Sequence, residues 1–582
     1  MKFYISFIFT LFSFVLLFSQ YTPKGTTKYE KRKAKKFINK MYRSLSLDEK
    51  IGQLFLVALY TNKGEKGIDK VRKMIIEEKI GGIILMQEDA DREKQLIEEF
   101  QKKSPISLFV GIDAEWGLQQ RLKNTYKLPW ALALGAIQDK KLIYRMAQNL
   151  ARDAKLLGIN WIFAPVADVN TNPLNPIIGN RSFGSDVKNV SCSALSYAKG
   201  LQDEGVLATL KHFPGHGDTQ TDSHLDLPTL KHSLQRLDST ELAPFRMLSD
   251  KGIASIMVAH LNIPSLDKKA LSSISKKIIT GLLKNKMNYK GIIVTDALDM
   301  AAVAKRYKPG VLEDLAFRAG NDIMLFSQDV AEGKRLIKNG IKNGEIPEKR
   351  LKESVKKILL TKYYLGLLDR NKNNKQQHLR RDTSLVSRKG KINENIIKKL
   401  LSPEHKELVQ KLYAHSLTLI KNKESVLPLK RKKTYYYLPL EEGSFASFYE
   451  ELKKSHHINL ISSSQASSLP PKSCIIVGIH KDNSTAYTPY KISDASKEII
   501  KKLAKNHTII LNVFASPYAL CDFPIENIKS VLVAYENNED AQISAGKNIK
   551  GEHSVTGKLP VDINEDLRYG MGIDLVVVAN KE

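Results

Sequence analysis

The apolar run Val206, Leu207, Ala208, Thr209, Leu210 passes without a break into Lys211-His212-Phe213-Pro214-Gly215-His216-Gly217-Asp218, and on through Thr219-Gln220-Thr221-Asp222-Ser223-His224. Residues 211–224 hold three histidines (His212, His216 and His224), two carboxylates (Asp218 and Asp222), a lysine and two glycines. A buried strand that ends in a polar, glycine-broken loop fixes its terminal groups while the loop exposes them, which is where catalytic residues gather. The stretch reads as part of an enzyme's active site.

Seven more apolar runs of strand length surround it: Gly52–Leu59, Ile80–Met86, Ile106–Asp113, Ile159–Val169, Ile253–His260, Gly291–Thr295 and Asp322–Phe326. Longer amphipathic stretches such as Asp139–Leu157 and Asp186–Glu204 lie between them and are long enough for crossover helices. Eight strand–helix units over about 300 residues predict an α/β fold, a (β/α)8 barrel of TIM type. The competing open, doubly wound sheet calls for a glycine-rich dinucleotide turn after its first strand, and the sequence has none there.

Beyond the barrel, the polar stretch Asn371–Asn395 reads as a linker. Further strand candidates follow at Ser416–Lys421, Thr434–Leu440, Ile458–Ser463, Cys474–Ile479, Thr508–Phe514, Val531–Tyr535 and Leu575–Val578. They alternate with helix-like segments and predict a smaller α/β sandwich domain. The expected organisation is a signal segment at 1–20, the barrel at 21–370, a linker at 371–400 and the second domain at 401–582.

A chain of 582 residues exceeds one ordinary core, and 42% apolar residues is ordinary for a globular protein. Lys2, the apolar run Phe3–Phe18 and Ser19-Gln20 read as an export signal, placing the protein in the periplasm or outside the cell. The run falls short of the roughly 20 residues of a membrane span, although an uncleaved anchor is the alternative reading. Cys192, Cys474 and Cys521 are too few and too scattered for a disulfide framework or a cysteine metal site. The net charge of +29 raises the question of nucleic acid. Its lysines are spread along the chain with no basic repeat or aromatic RNA-binding signature, so no nucleic-acid partner is expected. A lysine-rich surface is the plainer reading, with weak attraction to an anionic cell-wall or membrane surface as its consequence.

Ionisable groups end five of the eight predicted strands: Asp113, Asp168, Lys211-His212, His260 and Asp296. Burying them is costly unless they face one polar pocket. The histidine loop itself admits three readings. As metal ligands, His212, His216 and His224 match neither a His-Glu-x-x-His helix nor another familiar zinc spacing, so no metal and no cofactor is expected. As structure, His216 between Gly215 and Gly217 holds the loop through backbone hydrogen bonds. As acid–base machinery, Asp222 stands two residues before His224, where it orients the ring and supports its protonated form.

The run KHFPGHGDTQTDSHLDLP (Lys211–Pro228) resembles the signature of glycoside hydrolase family 3, in its β-N-acetylglucosaminidase branch. GIDAEWGLQQR (Gly111–Arg121), APVADVNTNPLNPIIGNRSFG (Ala164–Gly184) and VTDALDM (Val294–Met300) agree with it. SLTLIKNKESVLPL (Ser416–Leu429) and GKLPVDI (Gly557–Ile563) are similar to that family's second domain. The resemblance implies Asp296 as nucleophile and His224 as general acid/base, oriented by Asp222. It implies that Asp113, Arg121, Arg181, Lys211 and His212 grip the sugar at the −1 subsite. One departure is Glu115-Trp116 after Asp113-Ala114, where many relatives have a Gln-Glu-Gly-Gly run; it is expected to touch only the pocket rim.

A retaining glycosidase needs a carboxylate to attack the anomeric carbon and a proton donor for the leaving oxygen, and these residues supply both. The resemblance therefore implies an exported, retaining exo-β-N-acetylglucosaminidase acting on peptidoglycan fragments or related amino-sugar glycosides, with a carbohydrate as its partner. Three alternatives stand beside it. One is a β-N-acetylglucosaminide phosphorylase, since a neutral histidine repels phosphate less than a carboxylate does. Another is a β-glucosidase or β-xylosidase whose acid/base comes from the second domain, with Glu536 and Glu539 as candidates. The third is a non-catalytic wall-binding module.

Overall fold

Eight short parallel strands, β1 (Phe55–Leu59), β2 (Gly82–Leu85), β3 (Phe109–Ile112), β4 (Trp161–Ile162), β5 (Leu207–Phe213), β6 (Ser255–Val258), β7 (Ile292–Thr295) and β8 (Met324–Leu325), pair in chain order. β8 returns to β1 with Met324 opposite Phe55, and Val294 bridges Ile323 to close the ring. The computed structural model describes residues 21–219, 226–368, 394–482, 485, 487 and 489–577. The expected signal at 1–20 lies outside the described residues.

All eight predicted barrel strands are present, most of them shorter than the apolar runs, and two show the physical reason for their extent. The run Ile159–Val169 forms a strand only at Trp161–Ile162, because Pro165 has no N–H to continue the ladder. Beyond it the chain keeps a single bridge, Val166 to Lys211. β5 instead runs three residues past its apolar part, and all seven of its residues are buried. Lys211 N donates to Pro165 O and Ala259 N donates to Phe213 O, so the backbone stays paired although the side chains turn polar.

Lower in the barrel, Trp161 Nε1 donates to Thr209 Oγ1 at 2.7 Å and lies 3.1 Å from Ser255 Oγ. The helix Glu348–Tyr364 lies across the pole where the strands begin. Lys357 Nζ donates to Gly291 O (2.8 Å) ahead of β7, and Lys362 Nζ donates to Gly81 O (2.8 Å) ahead of β2. Asp322, 1% exposed ahead of β8, joins this lid to the sheet. It accepts from Ile293 N at 3.0 Å, from Lys357 Nζ at 2.7 Å and from Ser354 Oγ, with Arg350 3.5 Å away. Burial alone raises its pKa, but Lys357, Lys284 and Arg350 outweigh that and hold it below the ordinary 3.8.

The second domain holds a six-stranded sheet: β9 (Thr418–Asn422), β10 (Thr434–Leu440), β11 (His457–Leu460), β12 (Cys474–His480), β13 (Thr508–Phe514) and β14 (Ser530–Val533). Its order is β9-β14-β13-β12-β10-β11, parallel except for the antiparallel edge β9. The last predicted strand, Leu575–Val578, is reduced to one bridge between Leu575 and Val555, and Val578 lies outside the described residues. The expected linker 371–400 also needs correction. Residues 369–393 lie outside the described residues, but Glu394–Leu400 is a helix. Ile396 and Leu400, four residues apart, bury into the barrel's own core with Val409, Leu412 and Tyr413, which is why this stretch folds rather than links.

One face of the second sheet packs on the barrel. Leu132, Ala133 and Ala136 of the short helix Ala131–Ala136 share a core with Leu511, Val533 and Leu559. The tail of the GKLP motif docks beside it: Ser185 N donates to Pro560 O (3.0 Å) and Lys558 N to Ala136 O (3.1 Å). A Cβ on Gly184, at φ +136°, would sit 2.0 Å from Pro560 O, so only glycine allows this approach.

Asp322→Asn removes the buried carboxylate that pairs with Lys357, Arg350 and Lys284, and should cost about 3 kcal/mol of stability at pH 7 in urea unfolding. Because the native pKa is depressed, this contribution is complete above the unfolded value of 3.8 and lost as pH falls below it. The gap between variant and wild type should therefore close in acid. A gap at pH 7 under about 0.5 kcal/mol would show that the cluster does not hold the lid.

Candidate active site

The carboxyl ends of the barrel strands open into a cavity of about 610 Å³ lined by Asp113, Glu115, Arg121, Arg181, Lys211, His212 and Asp296, among others. All six expected residues that fall within the described structure, Asp113, Arg121, Arg181, Lys211, His212 and Asp296, therefore meet in one place. They come from four separate parts of the barrel. Asp113 follows β3, Lys211 and His212 lie in β5, Asp296 follows β7, and Arg181 ends the turn Gly179–Arg181.

Successive strand residues ordinarily point to opposite faces. Lys211 and His212 both reach the cavity because the pairing of β5 with β6 shifts register between Leu210 and Phe213. This irregularity turns two consecutive polar residues toward one site.

The cavity wall is a chain of ion pairs. Arg121 Nη2 donates to Asp113 Oδ2 at 2.6 Å, and Lys211 Nζ donates to Asp113 Oδ1 at 3.1 Å. Lys211 also lies 2.7 Å from Glu115 Oε1. Arg181 grips Glu115 with two bonds, Nε to Oε2 at 2.8 Å and Nη2 to Oε1 at 2.7 Å. The same Nη2 lies 3.3 Å from His212 Nε2, whose Nδ1 stands 2.7 Å from Asp168 Oδ2.

Burial raises the pKa of Asp113, Glu115, Asp168 and Asp296, yet each ends below its ordinary value. Lys211 and Arg121 hold Asp113 down, and Arg181 with Lys211 brings Glu115 to about 2. His212 does the same for Asp168, and His212 and His260 for Asp296. Asp296 Oδ1 accepts from Ala297 N at 2.8 Å, which further favours the anion. Asp296 thus presents an ionised carboxylate to the cavity on a strand-end backbone held by Val258 O.

Glu115 corrects an expectation. The sequence departure at Glu115-Trp116 was expected to affect only the rim, but Glu115 is 6% exposed and bridges Lys211 to Arg181 within the site. Its position two residues beyond Asp113, among basic residues that need a counter-charge, was the available signal. Asp168, noticed only as a strand-end acid, carries the histidine loop: it accepts from His212 N and, at 2.8 Å, from His216 N. His216 supports the structural reading through that bond and through Asn175 Nδ2, which donates to its carbonyl at 2.9 Å. Burial lowers its pKa to about 4, and its ring also lines the cavity. A Cβ on Gly217 would sit 1.8 Å from Val169 O, which explains the second glycine of the motif.

The expected pair Asp222 and His224 falls in residues 220–225, outside the described residues. On either side of them Asp218 Oδ2 lies 2.8 Å from His232 Nε2, and Arg236 pairs with Glu241 at 3.1 Å. The second domain contributes Tyr487 to the cavity, a residue no barrel-based reading could reach. Its phenol lies near enough to Arg121 and Arg181 to interact with both electrostatically. Glu536 and Glu539 are placed elsewhere. Glu536 is fully buried, accepting from Lys127 Nζ (2.8 Å) and Trp130 N (2.7 Å) across the domain interface, and Glu539 pairs with Lys406.

Comparison with known proteins agrees with this architecture. The profile of the "Glycosyl hydrolase family 3 N terminal domain" matches residues 46–361. A Cellulomonas fimi protein named beta-N-acetylglucosaminidase/beta-glucosidase is 28% identical over 396 residues, covering 66% of this chain and 66% of its own length. Beta-hexosaminidase A of Pseudoalteromonas piscicida is 27% identical over 566 residues, 85% of this chain and 91% of the relative. The solved family 3 beta-N-acetylglucosaminidase of Paenibacillus sp. str. FPU-7 superposes with a TM-score of 0.71 at 28% identity, over 90% of this chain and 99% of that one. With both the barrel and the second domain matched, the chain belongs to glycoside hydrolase family 3.

Proposed function

We propose that this family 3 glycoside hydrolase is a retaining exo-β-N-acetylglucosaminidase, removing terminal β-linked N-acetylglucosamine from peptidoglycan fragments or related amino-sugar glycosides. The observation that carries the reading is Asp296, an ionised carboxylate at a rigid strand end, facing the Asp113–Lys211–Glu115–Arg181 network across one cavity. In this reading Asp296 attacks the anomeric carbon, forming a glycosyl–enzyme ester as the leaving oxygen takes a proton. His224, oriented by Asp222, gives that proton and then takes one from the water that hydrolyses the ester. Asp113, Arg121, Lys211, Arg181 and His212 hold the sugar hydroxyls.

Three features support it over the alternatives. Relatives along much of the chain bear hexosaminidase names. The histidine–aspartate sequence follows directly from β5. Glu536, the first glutamate considered as a second-domain acid/base, is committed to the domain interface and does not line the cavity. Export to the cell wall, read from residues 1–20, is the basis for the peptidoglycan substrate.

Asp296→Ala should reduce kcat on an aryl N-acetylglucosaminide by roughly 10⁴-fold or more, since a lost nucleophile removes the covalent step. NMR of early wild-type turnover should find the β-anomer first; an α-anomer, or a sugar phosphate when phosphate is added, would replace the reading with inversion or phosphorolysis. His224→Ala should lose most activity on substrates with poor leaving groups and least on activated phenyl glycosides, with Asp222→Ala showing the same trend more mildly. Uniform loss across the leaving-group series would take the proton-donor role from His224. Glu115→Gln keeps shape but frees Arg181 and Lys211 from one counter-charge, and should lower kcat/KM by roughly 10- to 100-fold through misplaced sugar contacts. Wild-type kinetics would return Glu115 to the rim.

A further inference from the structure

The N-terminal helix Lys28–Ser44 carries Lys28, Lys31, Arg32, Lys33, Lys35, Lys36, Lys40 and Arg43 against a single acid, Glu30. That is a net charge of +7 within 17 residues. Glu30 is occupied in the capping box with Thr27. The helix buries Ala34 and Ile38 and turns Tyr29, Arg32, Lys36, Lys40 and Arg43 outward, all exposed. Their spacing of three, four, four and three residues places them along one stripe of the helix. Tyr29, 72% exposed at its start, is an aromatic of the kind that settles at membrane interfaces.

The partner helix adds to this face. Glu348–Tyr364 packs against the N-terminal helix, with the Phe37 and Tyr363 rings 5.3 Å apart. It contributes exposed Lys349 and Lys352. Burial and then repulsion from Lys352, Arg43 and Lys35 lower the pKa of Lys356, a sign that cations crowd here. An open concavity of about 730 Å³ is lined by Arg32, Lys35, Lys36, Asn39, Lys40 and Arg43.

The position of this face is what gives it meaning. The helix Glu348–Tyr364 lies across the pole where the strands begin, touching Gly291 O, Asp322 and Gly81 O in turn. The N-terminal helix covers it from outside, so its basic stripe lies at the end of the barrel opposite the cavity.

We infer that the stripe Tyr29, Arg32, Lys36, Lys40 and Arg43 is a docking face for an anionic lipid surface, which orients the enzyme with its active-site mouth away from the membrane. Charge complementarity supplies the attraction, and the exposed tyrosine supplies an interfacial anchor. A lipid surface suits these features better than a soluble polyanion, which makes no use of Tyr29. The basic residues of this face are concentrated on one helix and have one direction.

The test is co-sedimentation of the full chain with vesicles of phosphatidylcholine alone or with about a third phosphatidylglycerol. Binding to the anionic vesicles should exceed binding to the neutral ones by roughly tenfold, and the excess should vanish in about 0.5 M salt. The set Arg32→Glu, Lys36→Glu, Lys40→Glu and Arg43→Glu should abolish the excess, and the milder set with Gln at the same positions should reduce it. An equal reversal on the second domain, Lys432→Glu, Lys453→Glu, Lys501→Glu and Lys505→Glu, should leave it in place. Vesicle-bound enzyme should hydrolyse a soluble glycoside with unchanged kcat/KM. The inference is overturned if the second-domain set weakens binding as much as the helix set does, if no anionic excess exists, or if the protein binds double-stranded DNA but not vesicles. Loss of activity on binding would equally overturn the orientation.

Discussion

A buried alternation of charge at the strand ends holds this site together. Arg121, Asp113, Lys211, Glu115, Arg181, His212 and Asp168 form one continuous run of contacts between 2.6 and 3.3 Å. Removing these groups from water carries a desolvation penalty that any one pair barely offsets. Linked together, Lys211 serves two anions and Arg181 an anion and a histidine, and the carboxylates are held below their ordinary pKa in spite of burial. The network draws on loops after β3 and β4 as well as on β5, so the barrel must close before it can form. A rigid, dry, pre-ordered set of donors and acceptors is what sugar hydroxyls require, because it pays no reorganisation cost when substrate arrives.

The second domain has a different part. Its sheet buries one face against the helix Ala131–Ala136, and Glu536 reaches over to Lys127 and Trp130. That segment directly follows the Gly111–Arg121 loop that carries Asp113, Glu115 and Arg121. The domain therefore braces the loop from behind while Tyr487 meets the cavity from its own side. A carboxylate at a domain junction, fully buried and held by a lysine and a backbone N–H, is a structural clamp. This explains how a glutamate that looks like a catalytic candidate in the sequence is unavailable for chemistry.

The opposite pole is equally polar but serves stability. Asp322, Lys357, Lys362 and Ser354 tie one helix across the strand entries. Both ends of the barrel thus carry buried ion pairs, one set open to a cavity and the other sealed beneath a helix. Closure by Glu348–Tyr364 decides which end excludes substrate.

Much of this was legible in the sequence. The eight apolar runs, their spacing and the ionisable residues ending them determined a barrel and the pole at which its site lies, because strand direction and alternation are local properties. The motif from Lys211 to Pro228 determined the family resemblance, and the five residues that the resemblance implies for sugar binding meet in one cavity with Asp296. Tertiary structure alone decided the rest. Glu115 became part of the site because folding brings Arg181 and Lys211, 66 and 96 residues along the chain from it, to its carboxylate. Residues 394–400 became a helix because the barrel offers Ile396 and Leu400 an apolar surface. Tyr487 entered the cavity, and Glu536 left the chemistry, through the docking of two domains. These are contacts between segments remote in sequence, fixed by burial and charge pairing that no local pattern encodes.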